Sequence, residues 1–161
     1  MNDRFSIRLA ISSDADAIAS LSRTEIEYEL PWSWTPPRVY RAIADPATNV
    51  VVASKGGPLI AFGIMVYRDN VAHLRLLAVH PSARRRGIGS SVLAWLEKVA
   101  NVAGISRIRL EARQDNVPAL AFYRKHGYYE RATVLGMYQG MEDGVRLEKV
   151  ITHASERLRD A

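Results

Sequence analysis

Hydrophobic positions recur with two different spacings along this chain, and each change of spacing marks a change of element. Residues 6–9 alternate polar and apolar as a short strand does, and Ser12, Ser13 and Asp14 then offer N-cap chemistry to a helix that turns Ile18 and Leu21 inward. Helical spacing is broken by Leu30-Pro31-Trp32-Ser33-Trp34-Thr35-Pro36-Pro37, which predicts a loop, with Thr35 as N-cap and Pro36 in the first turn of a second helix over 38–44. Two β-rich runs, 50–53 and 59–67, flank Lys55-Gly56-Gly57-Pro58, and a third, 71–79, follows Arg68-Asp69-Asn70. Connections this short and turn-rich predict a three-stranded antiparallel meander.

Ile88, Val92, Leu96, Val99 and Ala103 then recur at helical spacing, with Gly104 where a C-terminal cap belongs. Residues 107–113 alternate charged and apolar as a strand, 118–125 read as a short helix closed near Gly127, and 129–138 and 145–151 are the last two strands. The order β, α, α, β, β, β, α, β, α, β, β contains no repeat, low-complexity tract or linker. It predicts one mixed α/β layer structure.

Composition adds limits. With 161 residues, 48% of them hydrophobic and 24% charged, one domain with a proper core fits the chain. No apolar run approaches the roughly 20 residues that span a bilayer, and Met1-Asn2-Asp3-Arg4-Phe5 lacks a signal-peptide pattern, so a cytoplasmic location without membrane contact is expected. The absence of cysteine removes disulfides, cysteine nucleophiles and thiolate metal sites. The four histidines, His73, His80, His126 and His153, lie without metal-ligand spacing, so no metal is expected. A formal charge of +5 favours anionic partners, whether a phosphate cofactor, an acidic protein surface or nucleic acid.

Candidate chemistry concentrates at Arg84-Arg85-Arg86-Gly87-Ile88-Gly89, between an apolar run that stops at His80-Pro81 and the helix at 88–103. A helix N-terminus carries unpaired N–H groups and partial positive charge, and glycines let phosphate oxygens approach those amides. Arginines beside it add charge and bidentate reach. A dinucleotide fingerprint would need glycine where Val92 stands, and a triphosphate loop would need a Gly-Lys-Ser/Thr that does not follow. A basic surface turn with a glycine hinge uses the same residues, so the junction alone leaves both readings open.

Arg84-x-x-Gly87-x-Gly89 resembles the acetyl-CoA motif of the GNAT superfamily of N-acetyltransferases, Arg/Gln-x-x-Gly-x-Gly/Ala at a strand-to-helix turn. Leu76-Leu77-Ala78-Val79-His80-Pro81 resembles that family's central strand, and the stretch from Asn116 through Ala119, Phe122 and Tyr123 to Gly127-Tyr128 resembles its second cofactor motif. Within the superfamily the chain is most similar to ribosomal-protein alanine N-acetyltransferases (RimI-like), through Leu110-Glu111-Ala112-Arg113, Pro31-Trp32-Ser33, and Tyr138 with Gly140-Met141-Glu142-Asp143, where Met141 is an extra residue.

The resemblance implies a GNAT-like α/β fold: a single domain over 1–161 with a mixed, mostly antiparallel central sheet of about seven strands and helices on both faces. It implies acetyl-CoA as cosubstrate. The pyrophosphate would lie on the amides of Arg86, Gly87, Ile88, Gly89 and Ser90, with charge from Arg84 or Arg85, and the pantetheine would run along Leu77, Ala78 and Val79 like an added strand. The Val79 N–H would then meet the thioester oxygen as an oxyanion donor. Asn116 and Phe122 join the cofactor-binding set by the same resemblance, Glu111 becomes the candidate base and Tyr123 the candidate acid for the leaving thiolate. Trp32 and Tyr138 would shape the acceptor mouth, with Trp34 a further candidate. Each also has a plainer role: Glu111 as an ion-paired residue on a polar sheet face, Tyr123 as a core aromatic, Asn116 as a helix cap, the other aromatics as packing.

The acceptor implied is a primary amine, and a protein or peptide N-terminus is preferred because an α-amine titrates near 7.7 to 8.0 and a lysine side chain near 10.4. A small amine such as a polyamine, amino acid or antibiotic is the alternative. A nucleic-acid module is disfavoured because arginine clusters only where a phosphate cofactor already explains it, and a non-catalytic acyl-CoA sensor because both candidate catalytic groups are present. The expected assembly is a monomer or homodimer.

Overall fold

The computed structural model describes residues 4–138, 140 and 142–151. Met141 and His153 lie outside the described residues. The elements follow the predicted order: β1 (Ser6–Leu9), α1 (Ala15–Glu25), α2 (Pro36–Ala44), β2 (Thr48–Ser54), β3 (Leu59–Arg68), β4 (Val71–Val79), α3 (Ile88–Val102), β5 (Arg107–Arg113), α4 (Val117–Lys125), β6 (Tyr129–Tyr138) and β7 (Glu142–Val150). The seven strands form one sheet in the order β1-β2-β3-β4-β5-β7-β6. The β1–β2, β2–β3, β5–β7 and β6–β7 pairs are antiparallel and the β4–β5 pair is parallel. This is the mostly antiparallel, seven-stranded mixed sheet the sequence leads one to expect.

By its internal contacts the chain gathers into two compact units, one holding the chain up to Val66 together with Arg75–Leu96, the other Tyr67–Leu74 together with the chain from Glu97. In the first unit the strands bury one row of residues on α1 and α2. Val50 and Val52, Phe62 and Ile64, and Leu76 and Ala78 close on Ile18, Leu21 and Val39, so the inward face read from helical spacing is the core face. The opposite row includes Gly63. A Cβ there would lie 2.7 Å from Leu96 Cδ1 and 3.2 Å from Val92 Cγ1, so glycine is what lets α3 lie directly on β3. This unit therefore carries helices on both faces of its strands.

Three local expectations need correction. Asp14 does not cap α1 with its side chain; its carboxylate instead accepts from the Ile11 N–H at 2.8 Å and pairs with Arg8, so it closes the 3-10 turn ahead of the helix. Thr35 stands at the N-cap of α2 without a side-chain capping bond. The second and last strands begin earlier than predicted, at Thr48 and Glu142, because Thr48 pairs with Val66 and Glu142 with Tyr138. A strand ladder is made of backbone bonds, so polar residues at its ends do not interrupt it.

In the second unit β7 inserts between β5 and β6, and strand parity sorts the side chains. Ile108, Leu110 and Ala112 are buried, opposite Lys149, Leu147 and Val145, while Arg109 and Glu111 stand opposite Glu148 and Arg146 on the other face. Glu148 is buried at 1% exposure and accepts from Arg109 at 2.9 Å, Arg107 at 3.1 Å and the Tyr129 hydroxyl at 2.7 Å, with Arg131 at 3.5 Å. Burial pushes its carboxyl upward, but these bonds and charges outweigh burial and hold it below the usual carboxylate range. Among the described residues no helix is long and apolar enough to cross a membrane.

Candidate active site

The first unit holds the anion-binding candidates. After β4, the His80 N–H donates to the Ile60 carbonyl at 2.7 Å, and His80 Nδ1 accepts from the Ser82 N–H at 3.1 Å, which starts a 3-10 turn over Pro81–Ala83. Arg84 is extended, with φ −70°, and Arg85 and Gly87 are left-handed, with φ +64° and +75°. Left-handed residues in a turn help successive backbone N–H groups to converge on an anion. A Cβ on Gly87 would meet nothing within 4 Å, so conformation rather than space demands glycine there. The Ser91 N–H closes onto the Gly87 carbonyl at 3.0 Å, which leaves the amides of Ile88 and Gly89 ahead of the helical ladder.

The three arginines are exposed and Ile88 is buried, so α3 is anchored by its apolar face while the junction before it faces solvent. Arg84 does not reach outward: its guanidinium pairs with Glu25 at the end of α1, and its Nε donates to the Val79 carbonyl at 3.3 Å. Arg85 and Arg86 follow it on the solvent side. Leu77 and Val79 are half-buried while Ala78 faces the α1–α2 core.

In the same unit, Trp34 is core, 9% exposed, with the Arg38 guanidinium 3.8 Å from its ring centre. Trp32 is half-buried against that core, with Arg23 stacked at 4.9 Å. The plainer packing role therefore belongs to Trp34, and of the two Trp32 is the one with an accessible face.

The second unit holds the acid–base candidates. Glu111 is exposed on β5 and faces Arg146 on β7 at 3.4 Å. Tyr138 is half-buried; burial first, then the Glu111 charge, pushes its hydroxyl up to about 12, against an opposing pull from Arg113, whose guanidinium lies 5.9 Å from the ring. Tyr123 is buried on α4, edge-on to Phe122 at 5.3 Å and to Tyr128 at 5.7 Å. Burial, with a smaller contribution from Tyr138, raises the Tyr123 hydroxyl well above an ordinary phenol. It holds its proton across the physiological range. Phe122 is half-buried and stacks on His126 at 4.5 Å. Asn116 Oδ1 accepts from the Ala119 N–H at 3.2 Å, so this residue caps α4.

Sequence reading passed over two carboxylates of the first unit. Glu25 and Glu27 sit in an acidic run, Glu25-Ile26-Glu27-Tyr28-Glu29, that reads as a solvated helix end. Yet Glu25 pairs with Arg84 and Glu27 is buried at 8% exposure. Their partners lie 59 and 5 to 7 residues away, spacings that carry no periodic signal.

A glycine-hinged turn leads into α3 on this sheet order, an arrangement suited to an anionic cofactor, and comparison with known proteins gives the family. Residues 16–128 match the model of the Acetyltransferase (GNAT) family, so this chain belongs to that family and is an acetyl-CoA-dependent N-acetyltransferase. An N-acetyltransferase of Methanocaldococcus jannaschii described as uncharacterized, MJ1530, is 29% identical over 151 residues, covering 89% of this chain and 90% of its own. Among solved structures, the ribosomal-protein-S18-alanine N-acetyltransferase of Escherichia coli superposes with a TM-score of 0.79 at 24% identity, over 94% of this chain and 96% of that one. The PaiA N-acetyltransferase of Thermoplasma acidophilum, solved with coenzyme A, gives 0.77 at 20% identity over 92% and 99%. At these identities the structural likeness is one of fold.

Proposed function

We propose that this enzyme, working as one domain, moves the acetyl group of acetyl-CoA to the N-terminal α-amine of a protein or peptide. The amine nitrogen bonds to the acetyl carbon as the carbon–sulfur bond breaks; the amine loses a proton to Glu111 and the departing sulfur takes one up from solvent. Residues 86–90 hold the pyrophosphate, Arg85 supplies charge, and the edge of Leu77-Ala78-Val79 takes the pantetheine, with the Val79 N–H donating to the thioester oxygen. The two left-handed residues before α3, Arg85 and Gly87, are the observation that carries this cofactor assignment.

Glu111 accepts the amine proton, directly or through one water, and its exposure suits exchange with solvent. Tyr123 acts on the sulfur as a hydrogen-bond donor. A phenol whose pKa is raised above its ordinary value is a poor source of a fully transferred proton to a thiol that titrates near 8.5, but it is a reliable neutral donor. Phe122 and Asn116 support the cofactor from α4, Asn116 while capping that helix. Trp32 and Tyr138 are each assigned to acceptor binding. The half-open Trp32 ring in the Pro31-Trp32-Ser33 loop supports a peptide acceptor, as does the fold shared with the E. coli S18-alanine enzyme.

One observation favours a second reading. A cavity of about 250 Å³ is lined by Gln114, Asp115, Glu142 and Asp143, three of them carboxylates, which suits a cationic small amine. Incubation with acetyl-CoA and a panel of N-terminal peptides, lysine peptides and polyamines, followed by thiol release and product mass, separates the two. Turnover on free N-termini is expected. Acetylation confined to polyamines would establish the second reading instead.

A further inference from the structure

Glu27 is a charged residue placed where charge is costly, at the end of the α1 segment and 8% exposed. Its carboxylate gathers donors from both sides of a loop. Oε1 accepts from the Ser33 N–H at 2.7 Å and from the Ser33 hydroxyl, Oε2 accepts from the Ser22 hydroxyl at 3.0 Å, and the Trp34 N–H lies 3.2 Å from each oxygen. Its own backbone is tied as well: the Glu27 N–H donates to the Ser22 carbonyl at 2.9 Å, and its carbonyl accepts from the Leu30 N–H at 3.0 Å. One side chain thus joins the last turn of α1 to the Ser33-Trp34 backbone across five intervening residues.

The loop so held is not a relaxed one. Glu29 sits at φ +64°, in the left-handed region that non-glycine residues rarely adopt. Trp32 Nε1 is buried and meets no hydrogen-bond partner in the structure. Backbone strain and an unsatisfied indole persist only where the surroundings over-determine the conformation, and such features gather at ligand-binding segments. Trp34, just beyond the clamp, is anchored in the core; Trp32, just before it, is only half-buried, with Arg23 over its ring. Anchoring Ser33 from below therefore fixes the one ring of the pair that can touch a ligand.

We infer that Glu27 is a positioning residue for acceptor binding: its buried carboxylate pins the Ser33-Trp34 backbone and so sets where the Trp32 ring stands. This role presupposes that Trp32 lines the acceptor site. Glu27 touches no reacting atom, so its effect falls on acceptor affinity and leaves cofactor affinity and the chemical step alone. A glutamine has the same shape but turns two donors toward a site made of donors, which weakens the clamp without emptying it.

The test uses steady-state kinetics of the full-length enzyme on an accepted peptide, with Glu27→Gln, Ser33→Ala and Trp32→Ala compared by thermal melt. Glu27→Gln is expected to raise the KM for the peptide about tenfold, with kcat and the KM for acetyl-CoA within about twofold. Ser33→Ala removes one donor and is expected to raise the same KM about threefold; if Glu27→Gln does not fold, this variant carries the test. An unchanged peptide KM in a folded Glu27→Gln, or equal losses in all three parameters, overturns the inference. Trp32→Ala keeps the two claims apart. If it leaves the peptide KM unchanged, the acceptor role of Trp32 is wrong; if it raises that KM while Glu27→Gln and Ser33→Ala do not, only the Glu27 role is wrong.

Discussion

The β4–α3 junction and the β5–α4 segment both carry motif residues, but the roles proposed for them differ in kind. At the junction the proposed device is the backbone itself: Arg85 and Gly87 turn left-handed, and the first amides of α3 stand ahead of the ladder. Around β5 and α4 the proposed devices are side chains, and each is also employed in the fold. Asn116 caps α4, Glu111 faces Arg146, and Tyr123 is packed between Phe122 and Tyr128. A backbone site can be damaged without touching its neighbours, whereas a side-chain site cannot be altered without asking what else the side chain did. Glu111 and Glu148 make the same point within one sheet face. The first is half-exposed beside a single arginine; the second is buried under three arginines and a tyrosine.

Substitutions can break this contrast in order of expected size. Tyr123→Phe deletes a hydrogen-bond donor from a buried position and should lower kcat about a thousandfold with little change in either KM, read by thiol release. Because burial raises the Tyr123 hydroxyl, the wild-type rate should show no loss from this group as pH rises through the ordinary phenol value near 10; a fall there that vanishes in Tyr123→Phe would contradict the environment described. Glu111→Gln should lower kcat about a hundredfold near neutrality, while the melt stays within about 1 kcal/mol because its ion pair is exposed. If turnover is unchanged, the base is elsewhere.

Gly87→Ala has open space for its methyl but the wrong backbone preference, so the cost falls on the cradle conformation. The KM for acetyl-CoA should rise about tenfold and the KM for the acceptor should stay put. An unchanged cofactor KM would remove the claim that the backbone hand makes the site. The smallest effect belongs to Asn116. Its replacement by alanine should cost about 1 kcal/mol and lower Tm by about 2 to 4 °C, and Asn116→Ser should restore the melt because serine also caps. A serine variant that melts normally but binds acetyl-CoA poorly would show that the amide serves the cofactor directly.

How much of this was readable in the sequence follows the same division. Periodicity located every strand and helix, and it set Ile18 and Leu21 on the core side because burial on a helix repeats with its turn. The glycine motif was legible because a left-handed backbone position, as at Gly87, favours glycine. Asp69 and Asn70, both at positive φ, mark the β3–β4 turn for the same reason. Charged residues were not legible in this way. Glu25, Glu27 and Glu148 look like surface carboxylates until the fold brings Arg84, the Ser33-Trp34 backbone and three arginines onto them. Ends of strands were misjudged where the ladder ran on through Thr48 and Glu142, since the pairing there depends on backbone and not on side-chain polarity.

Acceptor identity is the central claim, and one substrate answers it directly. A peptide carrying both a free N-terminus and an internal lysine, incubated with enzyme and acetyl-CoA beside the same peptide with its N-terminus blocked, can be mapped by fragment mass. The account predicts a single acetyl group on the α-amine of the free peptide and no product from the blocked one. Acetyl-lysine in both peptides, or turnover only when a polyamine replaces them, would contradict it.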